Sequence, residues 1–242
     1  MKALRLHRWN VTPREAARIQ LRLRSRFEPA DRFSRIERVA GADVALDLRR
    51  NIAIAGAVVF QFPEMIEVER VWAKRRLTFP YVPGLLSFRE IPVLLRVFAR
   101  LRHPPDLIFY DGHGYAHPRR FGIACHLGVV LDCPTIGCAK SILVGVPEEP
   151  GSAPGAWAPL TDEGETIAAV LRTREGTRPV YISQGHRVTL ESAIRFARAV
   201  TDGFRIPRPT READHFVEQV KRNQLERSAP SPKKPGGNKK GR

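Results

Sequence analysis

No stretch of this chain approaches the ~18 consecutive apolar residues that a membrane-crossing helix requires, so a helical transmembrane protein is excluded. Cysteine is scarce. The three present, Cys125, Cys133 and Cys138, are odd in number and form no Cys-x-x-Cys pair, which argues against a disulfide-stapled secreted fold and against a cysteine-based zinc site. The opening residues MKALRLHRWNVTPREAARIQ break every apolar stretch with Arg or His and offer no signal-peptide core, so the expected compartment is the reducing cytoplasm. Heptads and internal repeats are absent. Acidic residues are in the minority, 25 Asp and Glu against 41 Lys and Arg, a net charge of +16 that points to a polyanionic partner, nucleic acid before an anionic membrane surface.

What is present is ordinary globular material: 242 residues, 43% hydrophobic, enough for one sizeable core. The closing SAPSPKKPGGNKKGR, residues 228–242, has five positive charges and almost no apolar side chain, and reads as a disordered basic tail after a single domain over 1–227. Thr12, Pro13 and Glu15 form a capping box that starts a helix over 12–27. Ala16, Ile19, Leu23 and Phe27 should face the core, with Arg14, Arg18 and Arg22 on another face, either solvated or meeting phosphate. Residues 37–48, 51–60 and 66–74 predict an antiparallel meander. A helix through about 102, a strand at 106–110, a glycine-spaced helix near 119–131 and a strand at 134–138 follow. After a loop over 145–160 come strands near 166–173 and 178–183 and a helix capped by Thr189. Strands first, then alternation, predict an α/β domain with a mixed sheet flanked by helices.

Several residues stand out chemically. Asp43 lies inside the first strand, where an ionised carboxylate needs a salt bridge, a metal or an earlier end to the strand. Asp111 closes the apolar run DLIFY at a strand C-terminus, where Asp serves as an Asx-turn former or as a hard-oxygen ligand. Together the two fit metal-assisted phosphodiester cleavage in a basic protein. Glu90 either completes a Ser87-x-x-Glu90 capping box or, if the helix begins near Ile91 ahead of Pro92, points elsewhere. Lys140, just past another strand end, is surface decoration or a phosphate-neutralising cation. His113 and His117 share the spacing of helical zinc pairs, but Gly112 and Gly114 oppose a helix, which favours hydrogen bonding to substrate. His186 reads as a turn histidine. Pro80, Tyr81, Val82 and Pro83 make a stiff apolar tip that must pack in the core or project as a wedge between bases.

The blocks VAGADVALD, PYVPGLLSFRE, DLIFYDGHGYAHPRRFGIACHLGVVLDCPTIGCAKSILVG and PVYISQGHR, in that order, resemble the endonuclease V family of deaminated-base repair nucleases over about residues 12–217. The resemblance implies a ribonuclease H-like fold and hydrolysis dependent on Mg²⁺, with Mn²⁺ as a substitute. It further implies incision at the second phosphodiester bond 3′ to deoxyinosine, leaving 5′-phosphate and 3′-hydroxyl ends. Carried onto this chain, it makes Asp43 and Asp111 the metal carboxylates, Glu90 the third acid, Lys140 the active-site lysine and Tyr81 the wedge. Leu86, Gly112, Ile123, Gly137 and Leu143 fall around the base pocket, His117 near the substrate strand, and Asp214 on a fourth position that is acidic or histidine among members. Cys125 and Cys138 depart from the family pattern without adding chemistry. The expected partner is deaminated-base DNA, acted on by a monomer, with inosine RNA left open as a substrate.

Overall fold

The computed structural model describes residues 1–226; the basic tail expected over 228–242 lies outside the described residues. Three antiparallel strands open the sheet, β1 (Arg38–Asp47), β2 (Ile52–Gln61) and β3 (Ile66–Arg76), preceded by α1 (Pro13–Leu23). Then come α2 (Leu86–Phe98), β4 (Leu107–Tyr110), α3 (Ile123–Leu131) and β5 (Thr135–Ala139). The chain continues through β6 (Val146–Pro147), β7 (Trp157–Asp162), β8 (Glu165–Leu171), β9 (Val180–His186), α4 (Leu190–Ala199) and α5 (Arg208–Glu226). The nine strands form one mixed sheet in the order β3-β2-β1-β4-β5-β9-β8-β7-β6, with β4 parallel to both β1 and β5 and every other pairing antiparallel.

Period-two alternation decides which face each residue serves. Ala40, Ala42, Ile108 and Tyr110 pack under α2 and α3, whereas Val39, Phe109, Ile136 and Ile182 pack under α4 and α5. The central strands are therefore buried on both sides, as a parallel pair requires, while β3 and β6 at the sheet's edges stay largely exposed. Helix α1 carries the expected capping box: Glu15 N–H donates to Thr12 Oγ1 at 3.3 Å, and Thr12 N–H donates to Glu15 Oε2 at 2.8 Å. Its Ala16 and Leu23 are buried, while Arg14, Arg18 and Arg22 are exposed.

Three local expectations shift. The helix expected near 119–131 begins only at Ile123, because the Arg120 N–H donates to His117 O and the Gly122 N–H to Gly114 O, tying the preceding residues into a turn. The loop expected over 145–160 contains β6, only two residues long, and the start of β7, whose run is interrupted by Pro159. Helix α5 was not anticipated at all. Its buried stripe, Ala213, Phe216, Val217 and Val220, has helical spacing and closes the core over β1 and β2.

Candidate active site and base pocket

Strands β1 and β4 are parallel with Ala42 opposite Tyr110, so the next residue of each, Asp43 and Asp111, emerge side by side on the face covered by α5. β4 ends there, but β1 runs on to Asp47 in its pairing with β2. Beyond the end of β5, Lys140 brings its Nζ to 2.5 Å from Asp111 Oδ2 and 3.5 Å from Asp214 Oδ2 on α5. Parallel register and the crossing of α5 thus gather four charged groups, distant in sequence, beside the carboxyl ends of the central strands β4 and β5.

Burial sets the electrostatics. Asp43 is pushed up to about 7, by burial first and then by repulsion from Asp111. Asp111 is also raised by burial, although Lys140 pulls the other way. Burial works to lower Lys140, but the hydrogen bond and charge of Asp111 outweigh it and hold the ammonium charged. Two hard-oxygen carboxylates that resist joint ionisation are a donor set suited to a divalent cation, and Mg²⁺ commonly takes only one or two carboxylates alongside substrate oxygens. Among the described residues no three His, Cys, Asp or Glu side chains close around one point.

Glu90 follows neither sequence alternative. α2 starts at Leu86, no side chain caps it, and Pro92 lies inside it, so Glu90 sits within the second turn and Ser87 makes no capping box. The Glu90 carboxylate is buried and accepts a hydrogen bond from the Tyr110 hydroxyl. Burial raises it to about 8, against the pull of that bond, with Asp43 and Asp111 adding repulsion.

Beside the carboxylates lies a cavity of about 240 Å³. Of the residues expected around a base, Leu86, Gly112, Ile123 and Leu143 line it, and Tyr81, Val82 and Pro83 stand along its rim. Tyr81 is 70% exposed, so it is not a core tyrosine. Pro80 is exposed and outside the lining. Gly137 does not line it either. It lies behind, where a Cβ would fall 2.5 Å from Gly114 N and 2.6 Å from Gly112 O, so its lack of a side chain lets the 112–114 loop lie against β5. His117 is buried, with Nε2 donating to Gly84 O at 2.9 Å and Nδ1 accepting from the Arg119 N–H at 3.1 Å. Burial lowers it to about 4, so it is a neutral imidazole with one assigned tautomer.

Gly84 O accepts twice more, from Gln20 Nε2 at 3.1 Å and from Arg119 Nη2 at 2.6 Å. Three donors, one from α1 and two from the loop carrying His117 and Arg119, therefore fix the rim loop. Gln20 was missed in the sequence, although a lone buried polar residue between Ala16 and Leu23 on an apolar helix face is a usable signal. Arg205 was missed as well and carries no signal, being one arginine among many. Its guanidinium donates to the carbonyls of Lys140 (3.1 Å), Pro179 (3.1 Å) and Arg178 (2.9 Å), joining the end of β5 to the approach of β9. His113 lines the cavity, and both ring nitrogens of His117 are taken up in hydrogen bonds. His186, the last residue of β9, accepts from the Glu28 N–H at 3.3 Å, as a structural histidine would.

Residues 20–215 match the family model described as endonuclease V. An endonuclease V of Roseiflexus castenholzii is 49% identical over 219 residues, spanning 90% of this chain and 98% of its own. The crystal structure of endonuclease V from Streptomyces avermitilis has a TM-score of 0.86 at 42% identity, covering 90% of this chain and 96% of that one. An endonuclease V of Ciona intestinalis, crystallised in complex with a 24-mer DNA containing an inosine followed by a ribo-adenosine, has a TM-score of 0.77 at 26% identity, covering 87% and 98%.

Proposed function

The chain belongs to the endonuclease V family, as an endonuclease of ribonuclease H-like fold that hydrolyses DNA, and from that premise we propose a deaminated-base repair nuclease. It seats deoxyinosine in the cavity and cuts the second phosphodiester bond 3′ to it, with Mg²⁺ or Mn²⁺ at Asp43 and Asp111. One observation carries the reading: Asp111 belongs to the acidic cluster and the next residue, Gly112, lines the cavity, so base site and cleavage site are built on consecutive residues. The inosine DNA bound by the Ciona intestinalis relative supports the choice of base.

The residues divide the work by position. An extruded base meets apolar walls at Leu86 and Ile123 and close backbone approach at Gly112, while Tyr81 fills the gap it leaves in the stack. Asp43 and Asp111 would hold the cation, whose chemistry when bound is to neutralise the phosphate and make water a stronger nucleophile. Lys140, held charged by Asp111 and Asp214, stabilises the negative charge that builds on the phosphate as the water oxygen–phosphorus bond forms. The phosphorus–O3′ bond then breaks, leaving a 3′-hydroxyl and a 5′-phosphate. Glu90, with its raised carboxyl beneath Asp43 and Asp111, completes the acidic site from the α2 side.

Cleavage of a duplex with one deoxyinosine, compared with its adenine counterpart in Mg²⁺ and read with end-group analysis, tests the proposal. Incision restricted to the inosine strand, two bonds 3′ to the lesion, is expected. Equal cutting of both duplexes, or preferential cutting of flaps, would return the protein to a structure-specific nuclease. Inosine RNA in the same assay decides the better substrate.

A further inference from the structure

The β1–β2 hairpin extends past the carboxylates. β1 leaves its pairing with β4 at Ala42 and continues to Asp47, four residues beyond Asp43, a reach of ~13 Å at ~3.3 Å per residue. The neighbouring edge strand β3, IEVERVWAKRR, is polarised along its length: Glu67 and Glu69 lie at the end away from the acidic site, and Lys74, Arg75 and Arg76 at the end beside the hairpin tip. There Arg50, Lys74, Arg75, Arg76 and Arg96 line one groove with Ile52. The carboxylate nearest this tip, Asp47, faces Arg50 at 3.7 Å. Arg75 Nη1 donates to Pro92 O at 3.4 Å and Arg96 Nη1 to Lys74 O at 3.3 Å, so the two guanidiniums are held toward each other by neutral carbonyls rather than by acids. Burial and the facing charge of Arg96 both lower Arg75 from its usual value. Cations fixed in mutual repulsion with surplus charge are a surface awaiting anions.

The order of sites along the sheet edge assigns which anions. The base cavity is lined by the residues that follow β4 and β5 together with residues 81–84 and the start of α2, the carboxylates stand at β1 and β4, and the basic groove lies at the β1–β2 turn, on β2 and β3 and on Arg96 of α2. A strand whose base enters the cavity and whose scissile bond lies 3′ at the carboxylates must continue in the same sense toward β3. We propose that the groove formed by Arg50, Lys74, Arg75, Arg76 and Arg96 binds the phosphate backbone of the substrate on the 3′ side of the cut. This rests on the deoxyinosine reading for its polarity. With one strand charge per ~3.4 Å of duplex, a ~13 Å reach addresses about four nucleotides beyond the scissile bond.

Binding by the full chain in EDTA, where no cutting intervenes, measures the salt dependence of affinity for inosine duplexes that keep about ten base pairs on one side of the cut and about two on the other. Arg76→Gln with Arg96→Gln, both exposed, should make the slope of log affinity against log salt shallower by about 1.8 on the duplex with the long 3′ flank. It should leave the slope unchanged on the duplex with only the long 5′ flank. Arg76→Lys with Arg96→Lys should retain the parental slope, as should Arg35→Gln with Arg102→Gln at the opposite end of the sheet. An unchanged slope on the long 3′ flank, an equal loss on both duplexes, or a loss that follows the 5′ flank would overturn the proposal. Failure of the deoxyinosine reading shows separately, as equal affinity of the parental protein for inosine and adenine duplexes.

Discussion

The hydroxyl of Tyr110, the last residue of β4, donates to Oε2 of Glu90 in α2, joining sheet and helix through a bond buried on both sides. Tyr110→Phe removes the donor and leaves a buried carboxyl to find another partner or stay protonated, at a cost of ~1–3 kcal/mol. Urea unfolding should show that loss. Glu90 should also titrate still higher, moving the acid limb of the pH–rate profile toward alkaline pH. A variant with parental stability and profile would mean that the bond does nothing for Glu90.

Asp43 predicts a pH-dependent gain in stability. Its folded value, about 7, lies above the ordinary 3.8 of an unfolded chain, so its contribution is fully present at low pH and is lost as pH rises through about 7. Asp43→Asn removes that loss. In metal-free buffer the variant should melt higher than the parent at pH 8, by on the order of 1–4 kcal/mol in unfolding free energy, with the difference shrinking toward pH 5. The same variant should be inactive at both pH values. A gain of equal size at pH 5 would place its origin outside the titration.

Lys140→Ala should reduce turnover more than DNA affinity, because the ammonium acts on charge that grows only on the way to the transition state. Removing it also leaves Asp111 facing Asp214 without the intervening cation, so Asp111 should titrate higher. Single-turnover rates beside equilibrium binding separate the two effects. Parallel losses in both would reduce Lys140 to a general phosphate anchor.

Tyr81→Ala should leave the melting temperature unchanged, since the side chain is largely in solvent. Binding and cleavage of duplex inosine DNA should weaken by ~1–3 kcal/mol, the scale of one aromatic–base stack, and single-stranded substrate should suffer much less. Equal losses on single and double strands would leave the wedge without its residue.

Legibility in the sequence followed the range of the interactions involved. The β1–β3 meander was readable because short turns and strict alternation are local. Asp43 and Asp111 were readable because a carboxylate in an apolar run violates a local rule. Their meeting with Lys140 and Asp214 depends on parallel register and on α5, which only the fold supplies. α5 itself passed unnoticed because its first turn holds Pro209 and its exposed face is so charged that the buried stripe is diluted. Glu90 is misplaced because Ser87 suggests a capping box and Pro92 a helix start near Ile91, whereas α2 begins at Leu86 and carries Pro92 inside it. Within α2, Pro92 simply forgoes the one backbone hydrogen bond that an N–H at this position would have made to Phe88 O. Gly137 is placed at the base pocket by the resemblance alone, whereas its immediate neighbour is the backbone of residues 112–114.

The three-donor clamp on Gly84 has a consequence for how this surface can change over time. Gly84 sits at φ 76°, where any side chain is strained, and a Cβ there would fall 2.8 Å from Arg119 Nη2 and push aside one of the three donors. Three residues earlier Tyr81 projects into solvent with no such restriction. The loop therefore behaves as a fixed socket with an exchangeable bit: substitutions at residue 81 can retune which distortions of a duplex are gripped, without disturbing the alignment of the cavity behind.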